Sequence, residues 1–375
     1  MSTPSLPPSF LATLPGRYYH APDIFELEQD RLFQQYWYAF THVTDVQQPG
    51  KYRTAQVGRE NVLVVRGNDG ELRAFLNVCR HRGTRLCMDE YGETKKNFRC
   101  TYHAWTYGLD GGLVAAPHLA KMPDVDRTEW GLKQVWLREY LGYVWVCLAD
   151  EPPSFEDTVI SPVSERFGDA QAVDNWTMPE LKVGRRISYD VKANWKVLVE
   201  NFLECYHCAT MHPEFLGVIP EYAEGYAAQY YVGRGVKFGE DVEGFTVDGK
   251  GGFGKLPGLT EEQDRQYWGV LINPQFFVSL VPDHVIAHRM FPVSAHRTIV
   301  ECDWLYAQDV PDEGPELDRS VELFHRVNQQ DFAACERCQV NMGSKLYEPG
   351  GVLVPHEHQI ASAFHDWFTK AFGEP

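Results

Sequence analysis

No run of about 18 consecutive apolar residues occurs in the chain, which excludes a membrane-spanning helix. The start of the chain lacks the basic-then-apolar layout of a secretory signal, so a cytoplasmic location is expected. Basic residues are in short supply: 35 Lys and Arg stand against 52 Asp and Glu, leaving a net charge of −17. A surface of that sign repels phosphate backbones and anionic headgroups, which argues against nucleic acid and membrane surfaces as partners. A disulfide framework is also missing, because the nine cysteines (79, 87, 100, 147, 205, 208, 302, 335, 338) are odd in number and scattered through a long chain. The sequence has no internal repeats, no low-complexity tract and no Gly-rich dinucleotide fingerprint.

What is present reads as a globular chain, with 44% hydrophobic and 23% charged residues. A length of 375 residues is long for one core and suggests two domains, or one carrying a large insertion. Residues 1–22 hold five prolines and form an extended arm. Over 23–37, Ile24, Leu27, Leu32, Phe33 and Tyr36 share a helical face, with Asp23 as N-cap. From 50 to 148 the texture is short β. Segments 61–66 and 72–76 flank the turn residues Gly67, Asn68, Asp69 and Gly70, and 106–109 and 113–115 flank a second hairpin signal at Asp110. A β-rich run at 143–148 is followed by Pro152 and Pro153, which mark a boundary near 155. Beyond it the pattern is α+β: a strand over 182–191 running into a helix over 194–211, a Gly-rich and charged excursion over 239–258, and strands at 270–281, 286–292 and 298–307. A long helix is expected over 318–340. The expected domains are an arm and helix (1–45), an all-β domain (46–155) and a larger sheet-and-helix domain (156–375).

Within the β region, Cys79 and His81 have one residue between them, and Cys100 and His103 follow with two residues between them. Structural zinc also uses two cysteines and two histidines, but zinc fingers pair like with like. Here each loop supplies one thiol and one imidazole. That alternation fits a Rieske [2Fe–2S] centre, in which one iron takes two thiolates and the other two imidazoles. Cys87 does not fit the spacing and reads as buried and inert.

Residues 200–213 place Glu204, His207 and His212 in an otherwise apolar run. Two imidazoles are the nitrogen ligands that a non-haem Fe(II) site asks for, with a carboxylate to come from elsewhere. On an ideal helix the two histidines diverge by about 140°. Pro213 pushes His212 out of helical conformation and lets it turn. Cys205 with Cys208, and Cys335 with Cys338, offer a competing four-cysteine zinc site on the same helices.

Taken with the segment 36–45, Asn194 to Lys196 and the histidine run, the cluster pattern resembles the Rieske non-haem iron oxygenases, in their catalytic α-subunit. The resemblance spans nearly the whole chain, and Ala104 departs from it where many members carry Gly. It implies an all-β Rieske domain inserted into a catalytic domain of helix-grip type, an antiparallel sheet covered by helices. It places the mononuclear iron on His207, His212 and Asp331, with Glu336 as second choice for the carboxylate. It makes Glu204 the bridge that passes electrons from His103 of a neighbouring subunit, and so implies a ring-shaped homotrimer. Glu rather than Asp at this position is similar to the glycine betaine, carnitine and related quaternary-ammonium oxygenases.

The implied reaction is reductive activation of O2, with NAD(P)H electrons arriving through a separate flavin and iron–sulfur reductase. The implied substrate is a small quaternary ammonium compound, whose charge wants aromatic faces. Phe202, Tyr206, Trp268, Phe276 and Phe277 are the candidate walls. An aromatic-ring hydroxylase is the alternative, with a flat apolar slot in place of a cation cage. A Rieske electron carrier with an idle second site is the third.

Overall fold

The computed structural model describes residues 6–122, 124–169 and 171–373. Contacts divide the chain into a unit Leu32–Pro153 and a second unit made of the residues up to Arg31 and from Ser154 onward. The small unit thus starts at Leu32, whereas the arm was expected to run to 45. The reason is Tyr38–His42, five buried residues that pair antiparallel with Tyr143–Cys147 and so belong to the small unit's sheet.

That sheet has seven strands, in the order Tyr38–His42, Tyr143–Cys147, Gln134–Tyr140, Leu72–Leu76, Glu60–Arg66, Lys51–Val57 and Tyr91–Glu93. Glu60–Arg66 and Leu72–Leu76 are paired through the expected hairpin, with Arg66 opposite Leu72. A smaller sheet of Asn97–Arg99, Thr106–Gly108 and Leu113–Ala115 contains the second hairpin. Leu63, Val65, Phe75, Trp105 and Tyr107 form one core with the sulfurs of Cys79 and Cys100. Apolar packing therefore holds the bases of both Cys–His loops.

The larger unit is built on six strands in the order Lys182–Val191, Arg297–Tyr306, Val285–Ser294, Phe276–Leu280, Gln266–Ile272 and Val236–Lys237. Every pairing in it is antiparallel. The long helix Pro315–Asn341 lays Leu317, Val321, Phe324 and Val327 against Tyr267, Ile286 and Trp304 of the sheet. These four positions recur at helical spacing, so one stripe of the helix is apolar.

Three local expectations need correction. The single strand expected over 270–281 is two, Gln266–Ile272 and Phe276–Leu280, because Pro274 has no N–H to donate and sits in the turn between them. Asp23 is not an N-cap: Ala21 holds that position, Pro22 opens the helix Pro22–Glu28, and Asp23 pairs with Arg17 at 3.1 Å. Gly249, Gly251 and Gly254 do have the spacing of a dinucleotide fingerprint, but 239–258 contains only turns, with no strand entering and no helix leaving. No helix among the described residues is long and apolar enough to cross a membrane.

Candidate metal centres

The two Cys–His loops close by the same hydrogen bonds. Cys79 N–H donates to Thr84 O (2.8 Å) and Gly83 N–H to Cys79 O (3.0 Å), while Cys100 N–H donates to Trp105 O (2.8 Å) and Ala104 N–H to Cys100 O (3.1 Å). The equivalent residues Gly83 and Ala104 both adopt positive φ, +72° and +58°. Each loop points its sulfur inward and its imidazole outward. Cys79 and Cys100 are buried, whereas His81 is exposed and His103 half-buried. The imidazole centroids lie 4.5 Å apart, and His81 stacks on Trp105 at 5.1 Å. Burial works to raise the Cys100 thiol, but the backbone N–H groups of Tyr102 and His103 outweigh it and hold the group below its ordinary value. Partial burial and the charges of His81 and Arg82 lower His103. Thiolate and neutral imidazole are the forms that coordinate metal, so this donor set fits a cluster held on two sulfurs and two nitrogens.

The second site begins at a broken helix. Asn194 caps the helix Trp195–Phe202 by accepting from Lys196 N–H at 3.1 Å. The helix expected to continue to 211 stops there. In the turn that follows, the Glu204 carboxylate accepts from the backbone N–H of Tyr206 (2.5 Å) and of His207 (3.4 Å). Cys205 and Cys208 are joined as a disulfide, which removes them from any four-thiolate site. One helical turn, Cys208–Met211, ends at His212, which has φ −125° and ψ 60° before Pro213 opens Pro213–Val218.

The break lets the two imidazoles meet. Their Nε2 atoms are 3.2 Å apart, and Asp331 Oδ1 on the long helix lies 3.1 Å from His207 Nε2 and 2.9 Å from His212 Nε2. Three ligands at right angles, each about 2.1 Å from one ion, would be about 3.0 Å from one another. This triangle fits an octahedral ion with one face occupied. The other ring nitrogens are tied back: His207 Nδ1 to Glu204 Oε1, and His212 Nδ1 to Gln330 Oε1 at 2.7 Å. Both rings therefore aim Nε2 at the shared point, where each would offer a lone pair to an ion once its proton is lost. Burial pulls the His207 imidazole down, but hydrogen bonds and charge from Asp331 and Glu204 prevail and hold it up at about 10. Burial would raise Asp331, yet the two imidazoles bring it to about 2. Glu336 points elsewhere, accepting from Lys192 N–H at 2.8 Å.

Two family profiles match the chain: the Rieske [2Fe-2S] domain over residues 36–133, and the ring hydroxylating alpha subunit (catalytic domain) over 178–374. The chain belongs to the Rieske non-haem iron oxygenases, as an α-subunit. It is similar to the glycine betaine monooxygenase oxygenase subunit of Pseudomonas aeruginosa, at 30% identity across 96% of this chain and 88% of that one. It is also similar to the carnitine monooxygenase oxygenase subunit of Escherichia coli K12, at 28% identity across 98% and 97%. A quaternary ammonium Rieske monooxygenase solved with L-carnitine matches with a TM-score of 0.75 and 25% identity, covering 99% of this chain and all of that one. The naphthalene 1,2-dioxygenase of a Rhodococcus species shares the fold, with a TM-score of 0.70 and 20% identity over 90% and 84%.

Beside the oxygenase's His–His–Asp triangle lies a cavity walled by Phe202, Phe215, Tyr222, Tyr267 and Phe324. Of the five walls expected from sequence, only Phe202 is among them. Phe277 stands behind Phe202, stacked at 4.2 Å. Tyr206 is 57% exposed and stacks on His356. Trp268 lies flat on Phe167 at 4.6 Å with the Arg166 guanidinium over it at 5.0 Å, and Phe276 is buried elsewhere. Strand alternation explains the miss at Trp268: Tyr267 faces the cavity, so its neighbour Trp268 faces away. Two residues that the sequence reading passed over carried a usable signal. Phe324 stands two helical turns before Asp331 and so shares its face, and Gln330 is its immediate neighbour.

Proposed function

We propose that this chain is the oxygenase component of a monooxygenase that hydroxylates, or oxidatively N-demethylates, a small quaternary ammonium compound of the glycine betaine, carnitine or stachydrine type. The observation that carries the proposal is the composition of the cavity wall. Five aromatic residues and the carboxylates of Glu204 and Asp331 line it, and among the described residues no Lys or Arg does. Such a lining attracts a trimethylammonium head by cation–π contact and by charge. A fused aromatic hydrocarbon gains nothing from the two carboxylates, which disfavours the ring-hydroxylase alternative. The names of the relatives point the same way.

In this reading His207, His212 and Asp331 hold iron(II), which when bound supplies reductive activation of O2 at its open positions. The protein's own contribution is placement. Glu204 and Gln330 fix the two imidazole tautomers, and the buried aromatic walls exclude bulk water and present an N-methyl group to the triad. Two electrons, two protons and O2 deliver one oxygen atom into an N-methyl C–H bond and the other into water. The resulting hemiaminal loses formaldehyde and leaves the demethylated amine. Cys79, His81, Cys100 and His103 would hold the cluster, which would supply electrons drawn from NAD(P)H by a separate reductase; Glu204 would receive them from His103 of a neighbouring copy, which calls for a homotrimer.

The test is iron content together with turnover. About three irons per chain fit an oxygenase, whereas about two fit a carrier. With a reductase supplied, formaldehyde is expected from glycine betaine, carnitine or stachydrine. Hydroxylation of an aromatic ring with no formaldehyde from any of them would overturn the assignment.

A further inference from the structure

A second cavity of about 460 Å³ adjoins the first, and Gln229 lines both. Four buried polar atoms around this outer cavity lack hydrogen-bond partners among the described residues: Arg166 Nη2, Gln229 Nε2, Asn273 Oδ1 and Gln359 Oε1. Arg166 is the unusual one. It is 7% exposed, and no described carboxylate forms an ion pair with it. Its remaining donors are spent on backbone, Nε to Gly269 O and Nη1 to Arg234 O, both at 3.0 Å. A buried guanidinium with an idle N–H is costly unless an anion completes it. The Gln229 amide lies beside the same Gly269, where an added Cβ would meet its Nε2 at 3.0 Å. The acidic member of the lining, Glu165, is exposed.

We propose that Arg166 and Gln229 form a carboxylate subsite, and that the preferred substrates are therefore zwitterions carrying both a quaternary ammonium and a carboxylate group. This rests on the quaternary-ammonium reading above and sharpens it. The lining changes sign along the substrate, with carboxylates and aromatic faces beside the triad and a guanidinium beyond Gln229. The carboxylate accepts from Arg166 Nη2–H and Gln229 Nε2–H, while the trimethylammonium head occupies the aromatic cavity. A cation without a carboxylate, such as choline, fills only half of this arrangement.

Binding to the metal-loaded enzyme, read by titration calorimetry, tests the idea apart from turnover. The probes are glycine betaine and γ-butyrobetaine (both charges), tetramethylammonium (cation only) and 3,3-dimethylbutanoate (carboxylate only). Arg166→Gln is expected to weaken the two zwitterions and 3,3-dimethylbutanoate by roughly 10- to 100-fold, the range for a lost hydrogen bond to a charged group, and to leave tetramethylammonium unchanged. Gln229→Glu, which keeps the side-chain shape and breaks no existing hydrogen bond, keeps the test alive should the arginine variant misfold. It is expected to weaken the carboxylate probes and not tetramethylammonium. Zwitterion binding that neither variant weakens more than tetramethylammonium binding would overturn the subsite. Wild-type enzyme that binds 3,3-dimethylbutanoate through Arg166 but ignores tetramethylammonium would instead remove the quaternary-ammonium reading and leave the subsite standing. Binding of none of the four would remove both.

Discussion

Glu204→Gln is the substitution that asks most of the site. The Glu204 carboxylate takes three donors: the His207 ring Nδ1–H and the backbone N–H groups of Tyr206 and His207. Its side chain is 11% exposed and that of His207 is 17% exposed, so solvent screens the contact poorly. An amide keeps the size but loses the charge, and it turns an NH2 group toward one of those donors. A hydrogen bond to a charged group contributes about 1.5–3 kcal/mol, and losing an outer-shell partner of a metal-bound imidazole costs about 10- to 100-fold in metal affinity. The iron dissociation constant of the variant should therefore rise by about that factor, measured by chelator competition. At saturating iron both centres should load fully while turnover stays far below wild type, because the proposed electron path still lacks its carboxylate. Full activity regained on iron loading would confine Glu204 to positioning His207 and refute the relay. Unchanged iron affinity together with unchanged turnover would refute both roles.

Two further outcomes follow from local geometry. Ala104 sits at φ +58° in a loop whose twin uses Gly83, and a left-handed L-residue costs about 1–2 kcal/mol, of which glycine's greater unfolded freedom returns part. Ala104→Gly should therefore stabilise the cluster-bearing unit by about 0.5–1 kcal/mol, seen as a higher thermal midpoint with cluster content unchanged. A lower midpoint would show that the alanine methyl is packed rather than strained. The second outcome concerns pH. In the metal-free site His207 is held up at about 10, so at neutral pH an incoming ion must displace its proton. Iron affinity should climb by about tenfold per pH unit from roughly 7 toward 10. Stability of the metal-free protein runs oppositely: the raised pKa contributes fully below the ordinary histidine value of about 6.5 and is lost as pH rises through about 10. Metal uptake that is flat with pH would show that His207 is neutral before iron arrives.

Much of the site was legible because its chemistry resides in side-chain type and spacing. Cys79, His81, Cys100 and His103 declare a mixed sulfur and nitrogen donor set whatever the loops do, and Pro213 announces that His212 leaves the helix. The break after Phe202 was less visible. It depends on the Glu204 carboxylate folding back onto the N–H groups of Tyr206 and His207, a short-range competitor to the helix that periodicity does not register. The cavity walls were harder still. Choosing Tyr267 over Trp268 requires the phase of a strand relative to the core, and both neighbours are aromatic and buried. The Leu32 boundary was hidden because Tyr38–His42 finds its partner, Tyr143–Cys147, about a hundred residues later.

His212 and Asp331 are 119 residues apart, and the stretch between them contains most of the catalytic sheet. An ion bonded to both would act as a cross-link around that loop. Closing a loop of such length with a covalent bridge removes about 4–5 kcal/mol of unfolded-chain freedom, which sets the scale of what the tie can contribute mechanically. His207 and His212 both reach Asp331 Oδ1, at 3.1 and 2.9 Å, so the long helix is joined to the broken one through the site itself. The side chains that would ligate the ion are thus also what ties the two helices to each other.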